Sequence, residues 1–297
     1  MALSSQRLFC FGLGFSALAL ARRLVGEGWQ IAGTCRTPEK VEALESEGIQ
    51  TALFDRGRPL DNPAAALAGA THLLSSVPPD AEGDPVLDQH GADIAAQSGW
   101  QWLGYLSTTG VYGDRDGGWV DEDSALKPTG ERGRRRVAAE RAWLALGEAC
   151  GAPVRLFRLA GIYGPGRNAL ASVRAGRAQR IDKPGQVFSR IHVDDIASVL
   201  EASIAAPTAG AAASRAYNVC DDEAAPPQEV IAHACALLGV APPPLVPFEQ
   251  AELSPMGRSF YRDNKRVSNR RIKDELGVTL AFPDYRTGLA ALLASGT

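Results

Sequence analysis

The sequence predicts an α/β protein: a doubly wound parallel sheet with a smaller C-terminal lobe. Two observations predict it. Residues 7–36 read as strand, glycine turn, helix and strand in immediate succession. Beyond them, short apolar runs alternate with helix-spaced segments as far as Leu159, and alternation at that pitch implies parallel strands joined by crossover helices.

Residues 8–11 are a short apolar run suited to a buried strand. Gly12-Leu13-Gly14-Phe15-Ser16-Ala17 follows at once, a G-x-G-x-x-A turn. Ala17, Leu20, Ala21, Leu24 and Val25 then recur at helical spacing. Gly26 and Gly28 end that helix, and residues 30–34 begin a second strand. This context is what gives the glycines meaning. Gly12 allows the tight turn, and Gly14 lets a pyrophosphate approach the backbone. Ala17 lets helix and strand pack closely. The phosphates fall at the helix N-terminus, beside Phe15 and Ser16, as in a Rossmann dinucleotide site. Arg7, the apolar stretch and the Ala19-x-Ala21 pair loosely mimic a secretory leader. The glycine spacing and the immediate second strand fit a folded unit better.

Residues 38–48 read as a helix with Val41 and Leu44 facing inward, and 49–54 as a strand ending at Asp55. A short Ala-rich helix follows Asn62-Pro63. Residues 72–77 are a strand closed by Pro78-Pro79, 84–98 a helix and 102–106 a strand. A Gly- and Asp-rich stretch spans 113–130, within which 114–123 reads as a solvated lid or surface loop. An Arg-rich helix spans 131–149, and a strand 154–159. The pattern loosens after Gly164-Pro165-Gly166. A helix is expected over 193–205 with Asp194 as a cap, a flexible linker over 209–213, a strand over 217–219 and a helix over 228–238, with a break at Pro242-Pro243-Pro244. The expected division is 1–165 as the nucleotide-binding domain and 166–297 as the smaller lobe, with 190–222 packing back on the sheet.

Composition narrows the function classes. The chain is 45% hydrophobic and 22% charged, which is globular. A net charge of −3 offers no field for bulk nucleic acid or an anionic membrane. No apolar run reaches transmembrane length. The five cysteines, Cys10, Cys35, Cys150, Cys220 and Cys235, are odd in number and form no C-x-x-C, so a reduced, cytoplasmic protein is expected. No metal-ligand cluster is visible.

The end of the second strand distinguishes the cofactor. An NAD site usually places a carboxylate there, about 20 residues past the glycines, for the ribose 2′-hydroxyl. Here the residues are Thr34-Cys35-Arg36. Arg36 is a fixed cation with forked donors, suited to a 2′-phosphate, so NADP is the expected cofactor; a solvated surface arginine is the alternative. Asp55 can reach an adenine amino group or simply form a turn. Ser76 and Val77 end the fourth strand along the ligand crevice.

The fifth strand runs into Ser107-Thr108-Thr109-Gly110-Val111-Tyr112-Gly113. With Arg158 to Gly166 (RLAGIYGPG), Arg190 to Ala197 (RIHVDDIA), Tyr217-Asn218-Val219 and Pro283-Asp284-Tyr285, the sequence resembles the short-chain dehydrogenase/reductase superfamily, nearest to its extended branch of nucleotide-sugar epimerases and dehydratases. The resemblance covers most of the chain. It implies that Thr108 donates a hydrogen bond to a substrate carbonyl or alkoxide oxygen, and that Ile162 and Tyr163 flank the nicotinamide, unless Tyr163 is a packing residue. It places Thr109, Tyr112 and Arg190 on the substrate side. His192 is expected to support the helix that follows it. Relatives often pair through the helices flanking the fifth strand, which implies a homodimer.

One departure stands out. Family enzymes carry Tyr-x-x-x-Lys on the next helix, where the lysine lowers the tyrosine pKa for proton transfer. Aligned on Pro128 and Glu140, this chain holds Arg132 at the Tyr position and Arg136 at the Lys position. Arg136 can still hydrogen-bond a nicotinamide ribose. Arg132 cannot pass a proton, because guanidinium does not deprotonate in proteins. The pattern resembles the atypical members of the superfamily. The expected function is an NADP-dependent oxidoreductase or epimerase acting on a small-molecule carbonyl or hydroxyl substrate. The alternative is a non-catalytic NADP-binding redox sensor or partner-binding module.

Overall fold

The computed structural model describes residues 6–206 and 214–296. Strands and helices alternate through the first part as β1 (Arg7–Phe11), α1 (Phe15–Gly26), β2 (Gln30–Cys35), α2 (Pro38–Ser46), β3 (Gln50–Leu53), α3 (Pro63–Leu67), β4 (His72–Ser75), α4 (Pro85–Ala96) and β5 (Trp102–Thr108). Next come β6 (Trp119–Val120), α5 (Glu131–Cys150), β7 (Val154–Leu159), β8 (Gly161–Tyr163), α6 (Ala169–Arg174), β9 (Arg180–Asp182), β10 (Arg190–His192), α7 (Val193–Ala205) and β11 (Arg215–Val219). The chain ends with α8 (Pro227–Leu237), β12 (Leu245–Pro247), α9 (Pro255–Phe260), β13 (Arg266–Val267), α10 (Arg270–Leu276) and α11 (Tyr285–Ala294).

Seven strands form one sheet in the order β11-β7-β5-β4-β1-β2-β3. The chain leaves β1 toward β2 and β3, then returns to place β4 on the other side of β1. That reversal is the switch point where doubly wound sheets hold ligands, at the carboxyl ends of the strands. β1 pairs in parallel with both β2 and β4. All of Leu8, Phe9, Cys10 and Phe11 are buried, because helices cover both faces of such a sheet. Leu20 and Leu24 on α1 are likewise buried, each worth about 1.5–3 kcal/mol.

Contacts divide the chain into two compact units. The first comprises Met1–Thr108, Arg134–Arg158 and Ala197–Tyr217; the second comprises Thr109–Gly133, Leu159–Ile196 and Asn218–Thr297. A single cut at residue 165 differs from this division, because the chain passes back and forth between units. Of the stretch expected to pack back on the sheet, β11 joins its edge beside β7, whereas β10 pairs with β8 in a separate ladder.

The core of the first unit gathers Phe9, Phe11, Phe54, Leu103, Tyr105 and Trp143. Asp84 caps α4 by accepting from the amides of Val86 and Leu87, and its other oxygen accepts from the Trp143 indole at 3.0 Å. The second unit has its own core of Tyr163, Leu170, Val230, Ala234, Tyr285 and Leu289.

Several expectations change here. Residues 114–123 lie largely exposed at the surface, as expected, but they are tethered rather than loose. Asp114 accepts from the Asn264 amide at 2.7 Å, the amides of Arg115 and Gly117 donate to the Asn264 carbonyl, and β6 pairs with β13. The partners lie far away in sequence, so no local window reveals the pairing. Asp194 does not cap α7; it sits inside the first turn, and its amide donates to His192 Nδ1 at 3.2 Å. The linker expected at 209–213 lies outside the described residues. Among the described residues, no helix is long and apolar enough to cross a membrane.

Candidate dinucleotide site

Each of the two glycines after β1 has its own reason. Gly12 has φ of +82°, and a β-carbon there would meet Ser76 Oγ at 2.9 Å and Val77 Cγ2 at 3.1 Å. The fold itself demands glycine at this position. Gly14 is different. Its φ of −83° suits any residue, and a β-carbon would find nothing nearer than Ser76 Oγ at 3.8 Å. Nothing inside the protein requires a glycine at 14; what its missing side chain provides is open backbone.

The surroundings hold that backbone still. The Gly12 amide donates to Thr34 Oγ1 at 2.8 Å, the Leu13 amide to the Thr34 carbonyl at 2.7 Å, and the Ser76 hydroxyl to the Gly12 carbonyl. Thus the ends of β1, β2 and β4 are tied together at the switch point. Gly14 is the N-cap of α1, where no side chain caps the helix and the first turn holds no acid. Amides and the positive end of the dipole there favour an anion. Ser16 and Ala17 are buried beneath the turn, and Phe15 is partly exposed. An open cradle, an uncapped 12-residue helix and a rigid turn fit a dinucleotide pyrophosphate.

Arg36 follows β2 directly, is exposed, and makes no hydrogen bond or ion pair among the described residues. Asp55 follows β3, which pairs with β2. Its carboxylate accepts from the Gly57 amide at 2.9 Å and lies 3.5 Å from Arg58, so it shapes the 55–58 turn.

Thr108 ends β5. Beside it lies a buried network that sequence reasoning missed. Ser107 Oγ donates to Glu140 at 2.6 Å, and Arg158 grips the same carboxylate through Nε at 3.1 Å and Nη2 at 2.9 Å. A charge within the apolar run of β7 was the available signal, since an arginine is almost never buried unpaired. One turn before Glu140, Arg136 Nη1 donates to the Leu106 carbonyl and to Tyr105 Oη at 3.2 Å. Its cation therefore braces the end of β5. Burial is the main cause holding the Tyr105 phenol well above its ordinary pKa, so it is no proton donor at neutral pH.

The remaining candidates belong to the second unit. Arg132 is exposed, with its guanidinium 5.4 Å from the centre of the Phe260 ring. Thr109 opens a short 3₁₀ turn that ends at Tyr112. Tyr112 is fully buried, and its hydroxyl donates to Asn218 Oδ1 at 2.7 Å, so it does not stand at an open surface. Ile162 lies on β8 opposite Ile191. Tyr163 packs in the core: its ring meets His192 edge-on, its hydroxyl lies 3.4 Å from the Asp284 carbonyl, and a side chain at Gly288 would collide with it. Its ring is thus part of the packed core of this unit. Arg190 Nη1 donates to the carbonyls of Phe188 and Ala225. Among the described residues, no group of three metal-ligating side chains occurs.

A model of the NAD dependent epimerase/dehydratase family matches residues 90–220. Protein YeeZ of Escherichia coli (strain K12) is 30% identical over 288 residues, covering 94% of this chain and 97% of YeeZ. Among solved structures, a functionally unknown conserved protein from Silicibacter pomeroyi DSS is 52% identical with a TM-score of 0.89, over 98% of this chain and 99% of that one. MoeE5, solved in complex with UDP-glucuronic acid and NAD, is 20% identical with a TM-score of 0.77, over 99% of this chain and 100% of that one. At that identity the likeness is one of fold.

Proposed function

The chain belongs to the NAD dependent epimerase/dehydratase family, and from that premise we propose that it is an NADP-dependent oxidoreductase or epimerase of atypical short-chain type. The observation that carries the reading is Gly14, a glycine whose missing side chain serves nothing inside the protein. The fold shared with MoeE5, which was solved with NAD, supports a nicotinamide dinucleotide. Gly12, Gly14, Ser16 and the α1 N-terminus would hold the pyrophosphate, and Arg36 the 2′-phosphate. A bound nicotinamide supplies or accepts a hydride. Thr108 would donate a hydrogen bond to the substrate oxygen as its charge develops. Arg136 would serve by fixing the end of β5, and Arg132 by attracting an anionic substrate group.

A second reading has its own support. Neither arginine can replace the missing phenol, and the Tyr112 hydroxyl is already donated to Asn218. A non-catalytic NADP-binding redox sensor would need no proton donor. Single-turnover oxidation of NADPH against a panel of carbonyl and nucleotide-sugar substrates separates the two. The enzyme reading expects oxidation that slows by about 10- to 100-fold in Thr108→Val, with NADPH affinity unchanged. NADPH binding without oxidation of any substrate would favour the sensor.

A further inference from the structure

The second unit contains a cavity of about 270 Å³ whose charged residue, Arg190, has no part in the function proposed above. This is a little below the range of about 300–1,000 Å³ usual for small-molecule sites. Tyr163, Val230, Ile231, Tyr285 and Leu289 supply much of its lining, and Arg190 is the charged residue among them.

Three features of Arg190 point the same way. Nη1 is already occupied by the Phe188 carbonyl at 2.8 Å and the Ala225 carbonyl at 3.1 Å. Nε and Nη2 make no hydrogen bond among the described residues, and the guanidinium has no ion pair there. The nearest acid, Asp221, acts on it electrostatically without forming a contact pair. No well-formed hydrogen bond reaches either Asp221 oxygen, although the amides of Arg190 and Glu223 pull its pKa down from nearby. Burial nonetheless pushes that carboxyl up to about 8, which weakens its opposition to the arginine charge. Arg190 is half-buried, and a cation held partly out of water without a contact partner gains from an anion placed against it. The open Nε–Nη2 edge presents two parallel N–H donors, the fork that matches the two oxygens of a carboxylate. The Tyr285 hydroxyl also has no hydrogen-bond partner among the described residues.

We propose that this cavity binds a small monocarboxylate with an apolar body, held by Nε and Nη2 of Arg190 against the Tyr163, Val230, Ile231 and Leu289 wall. A phosphate dianion suits it poorly, because a tetrahedral group needs donors on several sides, and apart from Arg190 only Gln179 and the tyrosine hydroxyls bring polar atoms to the lining. The inference does not rest on the dinucleotide reading, since every residue in it belongs to the other unit.

The test is calorimetric titration of the full chain, without dinucleotide, using straight-chain, branched and aromatic monocarboxylates from acetate to octanoate, with benzoate and phenylacetate. Each is compared with its own amide and with inorganic phosphate. At least one carboxylate should bind saturably at one per chain, at least about tenfold more tightly than its amide or phosphate. Arg190→Lys, which keeps the charge but loses the fork, should weaken it by about tenfold or more. Ile231→Trp, which leaves Arg190 in place and fills the cavity, should also abolish binding. The proposal is overturned if no carboxylate outbinds its amide on the wild-type chain, if Arg190→Lys retains full affinity, or if Ile231→Trp binds unchanged.

Discussion

Asp221 shows how one buried side chain can set a pH response. Its carboxyl is raised from 3.8 to about 8, chiefly by burial, with the Arg190 guanidinium pulling it back down. Between those values the folded chain keeps a proton that the unfolded chain has released. Stability therefore falls as pH rises through that window and levels off above it. The slope approaches about 1.4 kcal/mol per pH unit at its steepest. Asp221→Asn removes the ionisable group. The variant should gain on wild type by a few kcal/mol (order of magnitude) between about pH 5 and pH 8 in urea unfolding. A difference that does not grow with pH would contradict this. Arg136 teaches a related lesson at the same scale. Its place in the sequence suggests a ribose contact, and in the fold its Nη1 also braces Leu106 and Tyr105 at the end of β5.

Among the elements, the β1–α1 turn gives the sharpest contrast. Gly12→Ala forces a side chain into a left-handed backbone beside Ser76, and should cost about 1–2 kcal/mol or more of stability. Gly14→Val meets neither obstacle. It should leave the melting temperature nearly unchanged and abolish dinucleotide binding; undiminished NADPH binding by the folded variant would remove the turn from the site. The link between α5 and the sheet makes a second prediction. Glu140→Gln leaves Arg158 buried without its counter-charge, which should cost about 3–5 kcal/mol in denaturant unfolding. A loss below about 1 kcal/mol would mean the pair is dispensable. The turn was legible because its signal is local: glycines, helical spacing and a strand lie within a few residues. The β6–β13 pairing and the Ser107–Glu140–Arg158 network were not, because each is closed by a partner distant in sequence. Tyr163 was legible as either a nicotinamide neighbour or a packing residue, but the partners of Tyr112 and Tyr163 were not, since a motif fixes order along the chain and not what each ring packs against.

In the whole molecule, a sheet reversal, an open glycine cradle and Arg36 beyond β2, a cation without a partner among the described residues, bear together on cofactor choice. Alternation along the chain was enough to foresee the sheet. It did not foresee that the chain divides into discontinuous units, which depends on where segments return after leaving the sheet. The central claim is that Arg36 holds a 2′-phosphate. A charge-assisted contact of that kind is worth about 1.5–3 kcal/mol, which corresponds to about 10- to 100-fold in affinity. The most direct test is a calorimetric titration of wild type and Arg36→Ala with NADPH and with NADH. Wild type should prefer NADPH, and Arg36→Ala should lose about 10- to 100-fold for NADPH while its NADH affinity stays nearly constant. Equal losses for both cofactors, or a wild-type preference for NADH, would contradict it.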